Sequence, residues 1–371
     1  MKVLHVYKDY FPVLGGIENH LRLLAEEQAR LGMEVTVLTT NRSARTTVEN
    51  MNNVRVVKAG RVATIASAPI SLNLFVWMHR LEADITHLHF PYPIGELAYL
   101  LSGHNRKMVI TYHSDIVRQK QLLQLYRPFL RRVLARAAAI TVSSPNYLQT
   151  SRFLRPLAAK CSVVPYGVEL DRFAPAEAVL SRAEKIRRHY KGPLVLFVGL
   201  LRYYKGLSFL IEAMRQVEAK LLVVGEGPQG KEWQNLTRRL GLDRRVTFLN
   251  RVSDDELPAF YHACDVFVLP STHRSEAWGI VQIEAMACGK PVVSTELGTG
   301  TSFVNIDGST GLVVPPRDPA ALADAINRLL VDPKLRHRLG ENGRKRVRQE
   351  FSLQVMVERI LQVYRDVAAA S

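Results

Sequence analysis

The amino-acid sequence predicts an α/β protein of two doubly wound domains, each a mostly parallel sheet. Three observations carry this. Short, almost continuously apolar runs alternate with longer amphipathic stretches, as expected of strands buried on both faces and the helices that cover them. The alternation runs through two successive series of similar length. The chain has 371 residues at 47% hydrophobic content, enough for two cores that need no staples.

In chain order, strands are predicted at 3–7 (VLHVY), 35–40, 54–57, 84–90 (DITHLHF), 108–113 (MVITYH), 139–144 and 161–167. A first helix is expected from Glu18 to Leu31, and further helical segments fall between most of the strands. The second series has strands at 193–201 (PLVLFVGLL), 220–227, 246–250, 265–271, 290–296 and 311–316, again with intervening helices. The polar stretch 168–192 shows no strand signal and is the expected linker, and a last helix is expected from about Ser352. In such sheets ligands bind outside the carboxyl ends of the strands, so residues just after each strand carry the functional interest.

Composition narrows the classes. Cys161, Cys264 and Cys288 are far apart and form no CxxC pair, which argues against a disulfide framework or a zinc site and for a reducing compartment, the cytoplasm. No acidic cluster suggests a metal ion. The N-terminus reads as a buried strand rather than a signal peptide. The longest uncharged run, Val62 to Met78, is too short and too polar to span a bilayer. The net charge is +16, and residues 101–160 hold eleven Lys/Arg against Asp115 alone. Such a field calls for an anionic partner. Nucleic acid is the weaker choice, because aromatic residues in that stretch are few and sit in apolar patterns. A basic and apolar segment at 117–139 fits an anionic membrane surface better. At helical spacing Leu122, Tyr126, Phe129, Leu130 and Val133 share one face, with Lys120, Arg127 and Arg131 opposite and Arg132 and Arg136 at the flank.

Strand ends supply the candidate site residues. Gly15-Gly16 follow the first strand and precede a helix, a place where backbone can approach an anion. Arg202 and Lys205 follow the first strand of the second series and could hold a diphosphate. His113 ends the strand 108–113, with no nucleophilic triad around it. In the stretch SEAWGIVQIEAMACGKPVV, Glu276 and Glu284 lie eight positions apart. Along a helix that is roughly 12 Å, too far for a shared proton or metal ion. A helix starting near Gly279 would place Glu276 on the preceding loop and Glu284 about one turn in. The free N–H groups around Trp278, Gly279, Ile280 and Val281 would then lie between them. Carboxylate, helix N-terminus and carboxylate match the sugar hydroxyls, diphosphate and ribose diol of a nucleotide sugar.

These motifs, in this order, closely resemble the family-4 retaining glycosyltransferases of GT-B fold, over nearly the whole chain. The E-x7-E pair at 276 and 284 is the most specific element. GGIE (15–18), HSDIV (113–117), VPYGVELDRF (164–173), Lys205-Gly206 and GLVVPP support it. The resemblance implies two Rossmann-like domains facing across a cleft: 1–168 on the acceptor side, 169–351 holding the nucleotide sugar, and a helix at 352–371 returning to the first. It implies Glu276 on the donor sugar, Glu284 on ribose, Lys205 and Arg202 on the leaving diphosphate, His113 beside the sugar, and Val252 among the donor contacts. It also implies retaining hexose transfer without cofactor, from GDP-mannose or a UDP-sugar, to a glycan or lipid-linked acceptor in cell-surface polysaccharide or glycolipid synthesis. A nucleotide-sugar epimerase of the same fold is the alternative. One departure stands out: the family's usual GRL reads GLL here, with Leu200 in the Arg position. On a strand, Leu200 and Arg202 would point to the same face, so Arg202 could stand in.

Overall fold

The computed structural model describes the chain except residues 14, 66–67, 104–106, 116–119 and 371 and the side chains at 120–123 and 125. The end of HSDIV, the start of the basic segment and the side chains of Lys120 and Leu122 therefore lie outside the described residues. The chain divides into two compact units, Met1–Gly167 with Leu353–Ser371, and Val168–Ser352.

The first unit is built on an eight-stranded sheet. Its order across the sheet is Cys161–Val163, Ala139–Val142, Lys107–Tyr112, Ile85–Phe90, Lys2–Val6, Glu34–Thr40, Val54–Ala59, Thr47–Met51. All neighbours run parallel except the last, an edge strand joined antiparallel to Val54–Ala59, which the sequence pattern did not reveal. That strand is mostly exposed (Thr-Val-Glu-Asn-Met), so it lacks the apolar run that marks a buried strand. The helices Gly16–Arg30 and Leu353–Ala369 bury apolar side chains in one cluster with Val3, Ile85, Val109 and Ala139 of the sheet. The terminal helix contributes Leu353, Met356, Val357, Ile360, Val363, Tyr364 and Val367, an i, i+3, i+4 stripe. Each large aliphatic side chain so buried is worth about 1.5–3 kcal/mol relative to exposure.

The second unit holds a six-stranded parallel sheet in the order Val246–Phe248, Lys220–Val224, Leu194–Val198, Val266–Leu269, Val292–Thr295, Gly311–Val314. The chain winds outward from Leu194–Val198 in one direction, then returns to start again beside it with Val266–Leu269. That reversal makes a switch point between these two strands. The stretch expected as a linker is part of this unit. It contains the helix Glu177–Tyr190, whose Arg187 donates to the Ala263 carbonyl at 2.6 Å and pairs with Asp265. Nearly all of this helix is half-buried or exposed, so its sequence reads as a polar connector. Asp318 and Asp332 cap the helices Pro319–Val331 and Pro333–Glu350, each with proline in the first turn.

Polar residues thread the core of the first unit. His5 lies opposite His87 on the adjacent strand, and His89 follows two residues later on the same face. His5 Nε2 meets Gln28 Oε1 at 2.7 Å, His5 Nδ1 meets His89 Nε2 at 3.1 Å, and His89 Nδ1 meets His113 Nε2 at 2.9 Å. The chain of bonds ends at the Tyr166 hydroxyl on His113 Nδ1. The Gln28 carbonyl can only accept, and this fixes every proton: each ring donates from Nε2 and accepts at Nδ1, with Tyr166 donating at the far end. His87 bonds Tyr364 and Thr111, both at 2.6 Å.

Burial pushes the His5 imidazole down to about 4, with its Gln28 bond opposing, and that of His20 down to about 3. Burial likewise holds His87, His89 and His113 well below the usual value. Folded, all five are neutral at pH 7; unfolded, they take up protons below about pH 6.5. Stability is therefore complete above that value and falls as pH drops toward 4. The loss approaches about 1.4 kcal/mol per histidine per pH unit. Urea unfolding of the full chain should show its midpoint dropping steeply between pH 7 and pH 5. A midpoint unchanged over that range would contradict the neutral network.

Candidate functional site

The switch point of the second unit brings the predicted charges together. Past Val198 the chain turns through Tyr203–Lys205 and reaches Gly206 at φ 65°. A β-carbon at Gly206 would lie 2.1 Å from the Pro270 carbonyl and 2.7 Å from Thr272 Cγ2. Only glycine lets this turn press on the loop that follows Val266–Leu269. The Thr272 N–H donates to the Tyr204 carbonyl at 2.8 Å and fastens the two loops together. Lys205 Nζ is thereby held 2.6 Å from Glu276 Oε2, with both side chains about one-tenth exposed. The Ser271 hydroxyl donates to the same oxygen at 2.9 Å. Burial disfavours the Lys205 cation, but the charge and hydrogen bond of Glu276 outweigh it and hold its pKa above the ordinary value. Lys205 is a fixed ammonium.

From Glu276 the chain runs to Gly279, at φ 76°, and then into the helix Ile280–Ala287. Threonine and backbone bonds anchor this approach: the Thr299 hydroxyl donates to the Glu276 carbonyl, and the Gly300 N–H to that of Ala277, both at 2.8 Å. A β-carbon at Gly279 would meet Leu269 Cδ2 at 2.6 Å, so glycine again permits the close approach. The first N–H groups of a helix have no intrahelical acceptor and favour an anion. Ile280 and Val281, which open this helix, are half-buried. Glu284 sits in the second turn, buried, and its Oε2 accepts from the Tyr261 hydroxyl at 2.6 Å. Burial raises the Glu284 pKa, and the Tyr261 bond opposes the rise.

Tyr261 and Ser271 were not among the residues expected from the sequence. Ser271 had a signal, since it stands directly at a strand end. Tyr261 lies in the helix Leu257–Ala263 and had none. Trp278 is a packing residue in its ring, buried against Phe303 and Phe351 at centroid distances of 5.9 and 5.6 Å, so only its backbone could meet a ligand. Val252 is half-buried in the loop after Val246–Phe248. The strand expected to run to 201 stops at Val198, because Gly199 at φ 153° leaves the β region. Strand alternation therefore does not extend to Leu200 and Arg202. Both side chains are nonetheless exposed, with Leu201 buried between them.

In the first unit, Gly15 is extended at φ 179°, and Gly16 opens the helix Gly16–Arg30, where an added β-carbon would meet nothing within 4 Å. His113 directly follows the strand Lys107–Tyr112, only 2% exposed, with both ring nitrogens spent on His89 and Tyr166. The expected contact of His113 with a sugar would require one of those bonds to be given up. Two trios, His5/His87/His89 and His20/His89/His113, bring their donor atoms within 4.8 Å of one another, close enough for a metal ion. Four of these five rings use both nitrogens in hydrogen bonds, and neither nitrogen of His20 has a partner among the described residues.

Residues 182–346 match the family described as glycosyl transferases group 1, and residues 14–172 that described as glycosyltransferase family 4. The D-rhamnosyltransferase WbpZ of Pseudomonas aeruginosa is 40% identical over 355 residues, covering 95% of this chain and 92% of that one. The O-antigen chain mannosyltransferase C of Escherichia coli is 36% identical over 368 residues, 98% of each. Among solved structures, the sucrose-phosphate synthase of Thermosynechococcus elongatus superposes with a TM-score of 0.84 at 28% identity, covering 100% of both chains. Likeness along almost the entire length, together with two doubly wound units and the E-x7-E pair at a switch point, makes this chain a member of the family-4 glycosyltransferases of GT-B fold.

Proposed function

We propose that this enzyme transfers a manno-configured hexose from a nucleoside diphosphate donor, with retention at the anomeric carbon and without a metal ion, to a glycan or lipid-linked acceptor of a cell-surface polysaccharide. The observation that carries the reading is the meeting of Lys205 and Glu276 at the switch point, with Glu284 on the adjoining helix. The relatives support the sugar, since D-rhamnose is 6-deoxy-D-mannose and the two sugars differ only at C6. GDP-mannose is the favoured donor and UDP-sugars the next choice.

Each group has a task in this reading. The Lys205 ammonium and the amides of Gly279, Ile280 and Val281 neutralise the diphosphate as it departs, which is stabilisation of charge where it develops. Arg202, exposed on the same loop, adds a second cation where the family carries its Arg two residues earlier. Glu276 accepts from sugar hydroxyls and Glu284 from the ribose diol. Gly15 and Gly16, at the N-terminus of the helix Gly16–Arg30, are an anion-binding candidate within the first unit. A thermal-shift screen of GDP-mannose, GDP-rhamnose and UDP-glucose, followed by product analysis for anomeric configuration, tests the reading. Stabilisation by none of them would refute it.

The acceptor side rests on the helix Lys120–Arg136, which contains Pro128. Leu130, Val133 and Leu134 are buried, Tyr126 and Phe129 half-buried, and Arg127, Arg131, Arg132 and Arg136 exposed. The four arginines form two i, i+4 pairs on the outer surface. Cations near an anionic bilayer contribute about 1 kcal/mol each. We read this row as the contact that holds the enzyme at the inner membrane face, where lipid-linked acceptors reside. No described helix is long and apolar enough to cross a membrane.

Three outcomes are expected. Glu284→Gln should weaken donor binding by about 1.5–3 kcal/mol, the worth of a hydrogen bond to a charged group, measured by titration calorimetry, whereas Glu276→Gln should chiefly slow turnover. Unchanged donor affinity in the first variant counts against the ribose assignment. Transfer should proceed undiminished in EDTA, and Lys205→Ala should lower it far more than Arg202→Ala; activity lost to EDTA and restored by magnesium or manganese would refute the cation-based mechanism. The protein should sediment with anionic liposomes at low salt and be released as salt rises. Replacing Arg127, Arg131 and Arg132 by Gln should abolish this while sparing nucleotide binding, and wild-type protein that ignores anionic liposomes would point to a soluble acceptor.

A further inference from the structure

Lys205 has one ammonium group and two anions to meet. We propose that Glu276 competes with the donor's diphosphate for Lys205, so that the site retains a nucleoside diphosphate sugar but expels the sugar-free nucleoside diphosphate. This rests on the reading of Lys205 as the diphosphate contact and Glu276 as the sugar contact.

The competing partner is already in place. Glu276 Oε2 lies 2.6 Å from Lys205 Nζ in surroundings that leave each side chain about one-tenth exposed. Among the groups acting on Lys205, Glu276 does most to keep it cationic. The loops that carry the two residues are held in place, so only the side chains can exchange partners. Gly206 seats the Lys205 turn against the Pro270 carbonyl, the Thr272–Tyr204 bond joins the loops, and the Thr299 hydroxyl holds the Glu276 backbone.

Three occupancies follow from side chains that exchange partners on fixed loops. With no ligand, the two buried charges satisfy one another. With a sugar nucleotide, Lys205 turns to phosphate oxygens while Glu276 accepts from sugar hydroxyls, and both remain satisfied. With the diphosphate alone, Lys205 has a partner, but Glu276 keeps only the Ser271 hydroxyl. A buried carboxylate stripped of its cation is strongly disfavoured. The sugar-free product is therefore the poorest occupant. After transfer Glu276 loses its hydroxyls, recaptures Lys205 and displaces the diphosphate. Glu276 thus has two tasks: it touches the sugar during transfer and clears the site afterwards.

Glu276→Gln separates the tasks, since it keeps the size of the side chain and removes its charge. Titration calorimetry is run with GDP and GDP-mannose, and in parallel with UDP and UDP-glucose, on wild type, Glu276→Gln, Glu276→Asp and the double variant Lys205→Met/Glu276→Gln. Wild type should bind the sugar nucleotide more tightly than the bare diphosphate. Glu276→Gln should bind the bare diphosphate at least about tenfold more tightly than wild type, although its turnover is low. Adding Lys205→Met should erase that gain, and Glu276→Asp, with a longer ion pair, should show a smaller one. Folded Glu276→Gln and Glu276→Asp proteins that bind the diphosphate no better than wild type would overturn the exchange while leaving the nucleotide-sugar reading intact. Wild type that binds none of the four nucleotides would overturn that reading and the exchange with it.

Discussion

In the proposed mechanism the chemistry of the second unit depends on one interaction, the ion pair between Lys205 and Glu276. Burying two charges is costly, and such a pair persists only where geometry is tight and further hydrogen bonds are supplied. Both conditions are met because two strands adjacent at the switch point send their following loops into contact. Gly206 lets the first loop touch the second, and Ser271 supplies the extra bond. A hydrophobic pair of similar size would suit stability as well. The charged pair makes sense as a site held ready for an anion and for hydroxyl groups at once.

The first unit handles buried polarity in the opposite way. Its buried His5, His89 and His113 carry no charge at neutral pH and are ordered instead by a one-directional run of hydrogen bonds from Tyr166 to Gln28. Members come from strands, the first helix and the loop at Tyr166, while Tyr364 of the terminal helix joins through His87. The network therefore ties the chain's last helix to the sheet with polar bonds in addition to its apolar stripe. It also places the strand end at His113 among partners with defined tautomers, leaving that ring less available to a ligand than its position suggests.

Most of the architecture was legible because parallel strands buried on both faces leave long apolar runs, and both series of these stand where the sequence pattern put them. What escaped has physical reasons. The edge strand Thr47–Met51 is polar because solvent faces it. The helix Glu177–Tyr190 is too polar to stand out from a connector. In the candidate site, Glu276, Glu284, Lys205 and Gly279 stood out by type and spacing within one stretch of chain or at a strand end. Tyr261 and the histidine run were not, since their partners are brought together only by tertiary pairing: His5 and His89 are distant in sequence but adjacent across the sheet. Alternation did not reach Leu200 for a local reason, as one glycine ended the strand three residues early.

Family membership fixes the reaction class, and turnover in the proposed reading hinges on what happens to a single contact when the donor arrives. The most direct test is a crystal structure with an intact sugar nucleotide bound, in which the Lys205 Nζ to Glu276 Oε2 distance, 2.6 Å in the ion pair described above, is measured. Partner exchange predicts that the pair separates beyond ion-pair reach, with the ammonium on phosphate oxygens and the carboxylate on sugar hydroxyls. A donor seated in the site with the pair still in contact and neither group on the ligand would contradict it.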